Sequence, residues 1–487
     1  MTTITRRLAS QVRAVCRRAF GSTRTFGPAV CFLSSPSGLH VRAKSADVAV
    51  EYRGEGGGGE DRLWLPLQAL ADFEGKKDEP VQLEAPDKGR VTAQWSDRGV
   101  PQLVLYDAAD PVDAAQFPSI PDDFAENPPG LLAALHDAME TTNPDPIRYA
   151  TNHVQLQGQA GKLVATDGRQ LLVQSGYRFP WEGSTLIPRT TVFGCRELPQ
   201  DAPVAIGKAG DWMAVRVGPW TIWLSINKDG RFPEVERHIS RVADATSHCQ
   251  FSAADAEFLI QALPRLPSDD EYNGPVTFDL NGAVVVRAKP IDQSRPTEAV
   301  LGSSTCSGEQ VRIHTNRRYL ARALRLGLRE LHLYGSKNPV LCQDDCRQYL
   351  WALLDPDSAI EPAADPIRIE SPAAGPQTPI PNPKPERRTS VVSETIAKQN
   401  DHTQADNQAS GRRQVKANGQ ARKTTPRKAA PPDAAALIQQ TEALRQSLRE
   451  TLGKTTELLK GLKRHRRQSR ALESTIASLR QLKGLGV

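Results

Sequence analysis

Cys342 and Cys346, in Cys342-Gln-Asp-Asp-Cys346, have side chains that can ligate zinc. A structural zinc site needs a matching second ligand pair, and nothing supplies one, so the segment reads as a strand turn and no metal is expected. Asp167, before Gly168, and Asp229, before Gly230, read as turn residues at strand ends. The chain shows no phosphate-binding glycine loop, no nucleophile elbow and no carboxylate cluster at metal-ligand spacing. The expectation is therefore a protein without catalytic residues or a cofactor. What remains is cation chemistry: guanidinium groups set at helical spacing can hold phosphates.

Two stretches have that spacing. At 100° per residue, Arg6, Arg13 and Arg17 fall within roughly 40° of one another, and Leu8, Val12, Val15, Cys16 and Ala19 occupy the other side. Arg318, Arg322, Arg325 and Arg329 share one face of a helix expected over Asn316–Glu330, opposite Leu320, Leu324 and Leu328. For the first stretch a mitochondrial transit peptide is the alternative, since residues 1–46 hold several arginines and no Asp or Glu.

The elements that must position these helices repeat. Gly38–Asp47, Gly161–Asp167 and Gly282–Asp292 each give a turn glycine, an alternating strand and an aspartate, at starts 123 and 121 residues apart. After each comes a strand and a helix-start junction, at Leu65-Pro66-Leu67-Gln68, Ile187-Pro188-Arg189-Thr190 and His314-Thr315-Asn316-Arg317. The expected fold class is α+β, with three tandem repeats at 1–121, 122–245 and 246–357. Residues 358–434, rich in Pro, Ala, Ser, Gln and Asn with few aromatics, are expected to be a disordered basic linker. Leucine periodicity returns at 435–487 and predicts coiled-coil-like helices.

Charge follows the same division. From Asn382 to Val487 there are 22 Lys+Arg against 9 Asp+Glu; the other 381 residues hold 40 against 47, an acidic body before a basic extension. Seven scattered cysteines, an odd number, do not make a disulfide framework and fit a reducing compartment. No apolar run approaches the ~20 residues of a membrane-spanning helix.

Leu163-Val-Ala-Thr-Asp-Gly-Arg-Gln-Leu171, Leu186-Ile-Pro-Arg189 and Asp229-Gly-Arg-Phe-Pro-Glu234, in this order and within three repeats, resemble the bacterial DNA polymerase III beta subunit, the sliding clamp. The resemblance covers about 357 of the 487 residues. It implies a homodimeric ring with helices inside and antiparallel sheets outside, threaded by double-stranded DNA without sequence reading, in the cytoplasm at the nucleoid. The DNA-facing residues it implies are Arg6, Arg7, Arg13, Arg17, Arg18, Arg317, Arg318, Arg322, Arg325 and Arg329. The first helix of the middle repeat, Leu131–Thr141, has no Lys or Arg, and the third repeat's, around Ala253–Leu263, carries Asp255 and Glu257, so grip should rest on the first and third repeats.

The resemblance also implies a pocket where DNA polymerase and clamp loader insert short linear peptides. Its residues here would be Thr151, Thr166, Gly168, Arg169, Gln170, Leu171, Pro233, Arg237 and His238, with Leu350, Ala352, Leu353 and Leu354. Arg169-Gln170 stands where the family has His-Arg, and Ala352-Leu353-Leu354-Asp355-Pro356 replaces Met-Pro-Met-Arg-Leu. The expected function is a processivity factor of replication. The alternative is a non-replicative, clamp-like DNA-associated scaffold that uses its basic tail.

Overall fold

The Thr5 hydroxyl accepts from the Leu8 amide at 3.0 Å and starts helix α1, Arg6–Phe20, as a capping side chain should. Leu8, Ala9, Val12, Val15, Cys16 and Ala19 are its buried side, so the amphipathic pattern becomes core packing and these residues belong to the folded body. This is a computed structural model, and it describes residues 1–372 apart from 22–26, 37, 56–59, 88, 109–116, 146–148 and 271. The expected C-terminal helices and nearly all of the expected linker lie outside the described residues.

One order of elements recurs three times: a short strand, a helix, four strands, a helical turn and three strands. In the first repeat Thr2–Thr5 and α1 precede Ala29–Ser35, Gly38–Lys44, Val48–Gly54 and Asp61–Pro66; then come helix α2, Leu70–Phe73, and Pro80–Asp87, Arg90–Asp97 and Val100–Asp107. The second has Phe124–Asn127, helix α3 at Gly130–Thr141, and His153–Gln157, Lys162–Thr166, Gln170–Gln174 and Ser184–Pro188; Val204–Ala209, Trp212–Val217 and Trp220–Ser225 complete it. The third has Ser247–Gln250, helix α4 at Ala253–Ala262, and Pro275–Asp279, Val284–Ala288, Thr297–Leu301 and Arg312–Asn316; helix α5, Arg317–Arg325, leads to Glu330–Leu333, Val340–Gln343 and Arg347–Trp351. Thr305–Gly308 is an added strand in this repeat.

Adjacent repeats are joined by continuous sheets. Val48–Gly54 pairs antiparallel with Trp220–Ser225, making an eight-stranded sheet from the first and second repeats. Gln170–Gln174 pairs antiparallel with Arg347–Trp351, making a nine-stranded sheet from the second and third. The rule is the same at both seams: the third of one repeat's four strands takes the last strand of the next repeat. Val100–Asp107 ends the remaining four-stranded sheet, and Thr297–Leu301 stands at the corresponding position of the five-stranded one.

Three expectations change. The middle junction yields only one 3-10 turn, Val192–Gly194, because a β-branched residue and a glycine are weak helix formers and Phe193 is drawn into the core. Helix α5 ends at Arg325, well short of Glu330: Gly327 has φ +79° and the Leu328 amide donates to the Ala323 carbonyl at 3.0 Å, a Schellman stop that leaves Arg329 off the helix. The expected linker does not begin at 358 either. Ile367–Glu370 is a strand, added in parallel to Thr297–Leu301.

Candidate nucleic-acid face and partner cleft

The ten arginines divide by what their guanidinium groups already hold. Arg317 is 7% exposed and donates to the carbonyls of Gly274 (2.6 Å), Leu263 (3.1 Å), Pro267 (2.9 Å), Pro275 (3.3 Å) and Leu266. Burial, and then the neighbouring Arg318 charge, push its pKa down. It is a structural staple of the third repeat, and its expected place on the DNA face gives way. Arg6 does the same in the first repeat, with Glu79 at 3.0 Å, Asp97 at 3.1 Å and the Ser96 carbonyl at 3.0 Å. Arg13 is mostly buried and bonded to Glu74 at 2.6 Å.

Arg322 crosses between repeats, donating from α5 to the Asp137 carbonyl (2.5 Å) and the Thr141 hydroxyl (2.9 Å) of α3. The exposed cations are Arg7, Arg17 and Arg18 on α1, Arg318 and Arg325 on α5, and Arg329 beyond it. Arg7 is paired with Asp78 at 2.9 Å. A sequence stripe thus contains both anchors and solvent-facing charge, and helical angle alone does not separate them. Asp255, expected on a lumen helix, is buried at the start of α4 and accepts from the Ser303 amide and the Ser304 hydroxyl.

The second seam supplies the other surface. Asp167 builds the turn before it: its Oδ1 accepts from the Arg169 and Gln170 amides at 2.8 and 2.9 Å, and Gly168 takes φ +89°. Thr166 accepts from the Gly168 amide and donates to the Gln170 carbonyl. The Gln170 side chain receives the Tyr349 hydroxyl at 2.6 Å, and the Ala352 amide reaches the Arg169 carbonyl at 2.8 Å, so the two repeats lock together here.

Leu171 and Leu350 then meet in one apolar cluster with Val164, Val173 and Leu341. Phe232, Val235, Ile239, Val242 and Tyr334 pack over it. Pro233, Arg237 and His238, with Tyr149, Arg231, Phe232 and Val235, line a cleft of about 290 Å3 beside the cluster. Phe232 and Val235 are shared by cluster and cleft.

Not every expected pocket residue converges. Leu353 packs against the third repeat's core, the Leu354 amide donates to the His314 carbonyl at 2.8 Å, and Arg169 points to Tyr272 and Asn273. Thr151 is buried, its carbonyl accepting from the Asn143 amide. Phe232, Val235, Ile239 and Val242 escaped the sequence reading. Their signal was an apolar residue every three or four positions in a segment otherwise rich in charge and joining two repeats. Cys342 is fully buried in a strand and Cys346 exposed after the intervening turn, with the Asp344 carboxylate accepting from the Cys346 and Arg347 amides.

Three repeats of helices and antiparallel strands, fused edge to edge through continuous sheets, make the fold of a DNA sliding clamp. Among solved structures, the chain is similar to the DNA polymerase III subunit beta of Pseudomonas aeruginosa, at 19% identity and TM-score 0.59, covering 72% of this chain and 99% of that one. It is likewise similar to the DNA polymerase sliding clamp of Bacillus subtilis (15%, TM-score 0.61, 72% and 98%) and the DNA polymerase III beta subunit of Thermotoga maritima (14%, TM-score 0.58, 73% and 99%). No family model and no curated protein matches the sequence. Among the described residues, no helix is long and apolar enough to cross a membrane.

Proposed function

We propose that the chain is a sliding clamp that encircles duplex DNA, holds a polymerase on it for processive synthesis, and has no chemistry of its own. The observation that carries this reading is the seam rule. The strands that the rule would pair next are Thr297–Leu301, whose outer edge Ile367–Glu370 holds, and the edge strand Val100–Asp107; with that edge freed, two copies joined head to tail by the same pairing make a closed ring of six repeats. Exposed Arg17, Arg18 and Arg325 then meet phosphates rather than bases. The apolar cluster and cleft at the second seam suit a short peptide from a polymerase or clamp loader, in the cytoplasm at the nucleoid. The reading takes the three repeats at 1–121, 122–245 and 246–357, with Ile367–Glu370 added to the sheet of the third.

Loading onto nicked circular DNA and then cutting the circle tests the reading. A ring slides off the ends, and retention falls to the level of an unrelated protein. Equal retention on circle and cut duplex sinks it in favour of the second reading, a DNA-associated scaffold held by the basic C-terminal extension. One observation favours that alternative: Arg6, Arg13, Arg317 and Arg322 are engaged within the chain's own body, and the body is net acidic.

A further inference from the structure

At both internal seams the outward side chains of the last strand are covered by the segment that links the two repeats. Trp223 lies under Phe117, with ring centroids 5.1 Å apart, and Leu350 lies under Phe232 and Val235. Among the described residues, the last strand of the first repeat has no such cover. Val100, Leu103 and Leu105 are 58%, 69% and 51% exposed, while Val104 and Tyr106 alternate with the leucines against the core. An edge strand with this much outward apolar surface is a template for pairing with another chain.

The complementary edge is occupied. Ile367–Glu370 lies along Thr297–Leu301 with Ile367↔Thr297 and Glu370↔Val300 in register. The Ile367 amide donates to the Pro296 carbonyl and the Ser371 amide to the Val300 carbonyl, both at 2.9 Å. Arg295 pairs with Asp365 at 2.8 Å just before the strand, and Arg368 reaches Glu298, its partner in register, at 3.5 Å. All four strand residues are exposed, so the strand is held by backbone bonds, by the exposed Arg295–Asp365 pair, which contributes little, and by the long contact of Arg368 with the buried Glu298. Its direction is parallel, whereas both seams are antiparallel.

We propose that Ile367–Glu370 is a self-blocking strand. It holds the edge that a second copy's Val100–Asp107 must take, so two chains close only when it leaves. The inference rests on the ring reading. The cap competes through its short tether, which gives it a high effective concentration; the second copy competes through Leu103 and Leu105, which the cap cannot match. Closure is therefore weak in dilute protein and strengthened by anything that frees the strand.

Sedimentation equilibrium of the full chain tests this, with circular dichroism to check folding. Replacing Ile367 and Ile369 together by Pro removes amide donors from the cap, and dimerisation should tighten by about tenfold or more. The charge variant Arg295→Glu with Arg368→Glu, which leaves the backbone unaltered, should shift it in the same direction by less. Leu103→Glu should abolish the dimer in every background. If Leu103→Glu abolishes the dimer but neither cap variant tightens it, or either weakens it, the self-blocking strand is overturned and the ring stands. If no variant dimerises through Val100–Asp107, both fall.

Discussion

The two internal seams obey one pairing rule and differ in what lies on their outer face. At the first, Glu51 is fully buried among His40 (3.1 Å), Arg42 (2.6 Å) and Arg53 (2.6 Å), and Arg42 in turn lies over the Phe117 ring. Trp223 fills the space beneath, its indole N–H donating to the Ser119 carbonyl at 3.2 Å. At the second, Val164, Leu171, Val173, Leu341 and Leu350 form an apolar patch buried beneath a connecting segment, and that segment, through Phe232 and Val235, itself borders the cleft. Backbone pairing joins repeats in both places, and side chains on the solvent side of the sheet decide how far a seam is sealed: Arg42 and Phe117 border a cavity of about 140 Å3, and the cleft at the second, more open seam is about 290 Å3.

The largest expected effect is on packing. Trp223→Ala removes a wholly buried indole from the sealed seam and should cost about 3–5 kcal/mol in urea unfolding. Leu350→Ala at the open seam should cost only about 2 kcal/mol, because the covering segment can collapse onto the smaller side chain. Equal losses would erase the distinction between the seams.

Glu51 sharpens it. Burial pushes this carboxyl up, but hydrogen bonds and charge from His40, Arg42 and Arg53 outweigh burial and hold it below its ordinary value. A depressed folded pKa gives stability that is present above the unfolded value of about 4.3 and lost as pH falls through the folded one. Glu51→Gln should therefore cost about 1–3 kcal/mol at pH 7, near the lower end because Arg42 and Arg53 are partly exposed, and the gap should shrink in acid. Unfolding midpoints from pH 7 down to pH 3 check this, and a gap independent of pH would place the Glu51 contribution outside its ionisation.

A smaller effect is expected at the cleft. Phe232→Ala should weaken binding of a clamp-binding peptide from the cognate polymerase by about 1–2 kcal/mol, while Phe117→Ala at the sealed seam should leave it unchanged. Fluorescence titration with both variants decides whether only the open seam takes a peptide. Smallest is the contribution of single cations. Replacing Arg17, Arg18 or Arg325 by Ala should lower the salt slope of DNA binding by about one each and leave both seams intact. An unchanged slope would mean that these charges meet only solvent.

Much of the fold was legible because its signals are local. The three glycine-strand-aspartate segments, the alternating strands and the apolar sides of α1 and α5 follow from periods of two and 3.6, and all became strands or buried helix faces. The candidate sites were read less evenly. Gly168, Gln170 and Leu171 could be placed because their turn chemistry is contiguous in the chain. Phe232 and Val235 could not, since their role depends on Leu171 and Leu350, which come from different repeats.

What the sequence determined by itself was periodic: which strand and turn segments recur, which helix sides are apolar, and that positive charge gathers toward the C-terminal end. What tertiary structure decided was occupancy. Arg317 and Arg325 lie eight positions apart on one helix, yet one is enclosed by five carbonyls from distant segments and the other faces solvent. The residues 358–372 read as a linker by composition, and part of them became a strand because an open sheet edge stood within reach. The physical reason is that backbone hydrogen bonds and buried charges are satisfied by groups far away in the chain, so a residue's own spacing fixes the direction it can point and its distant neighbours fix what it meets there.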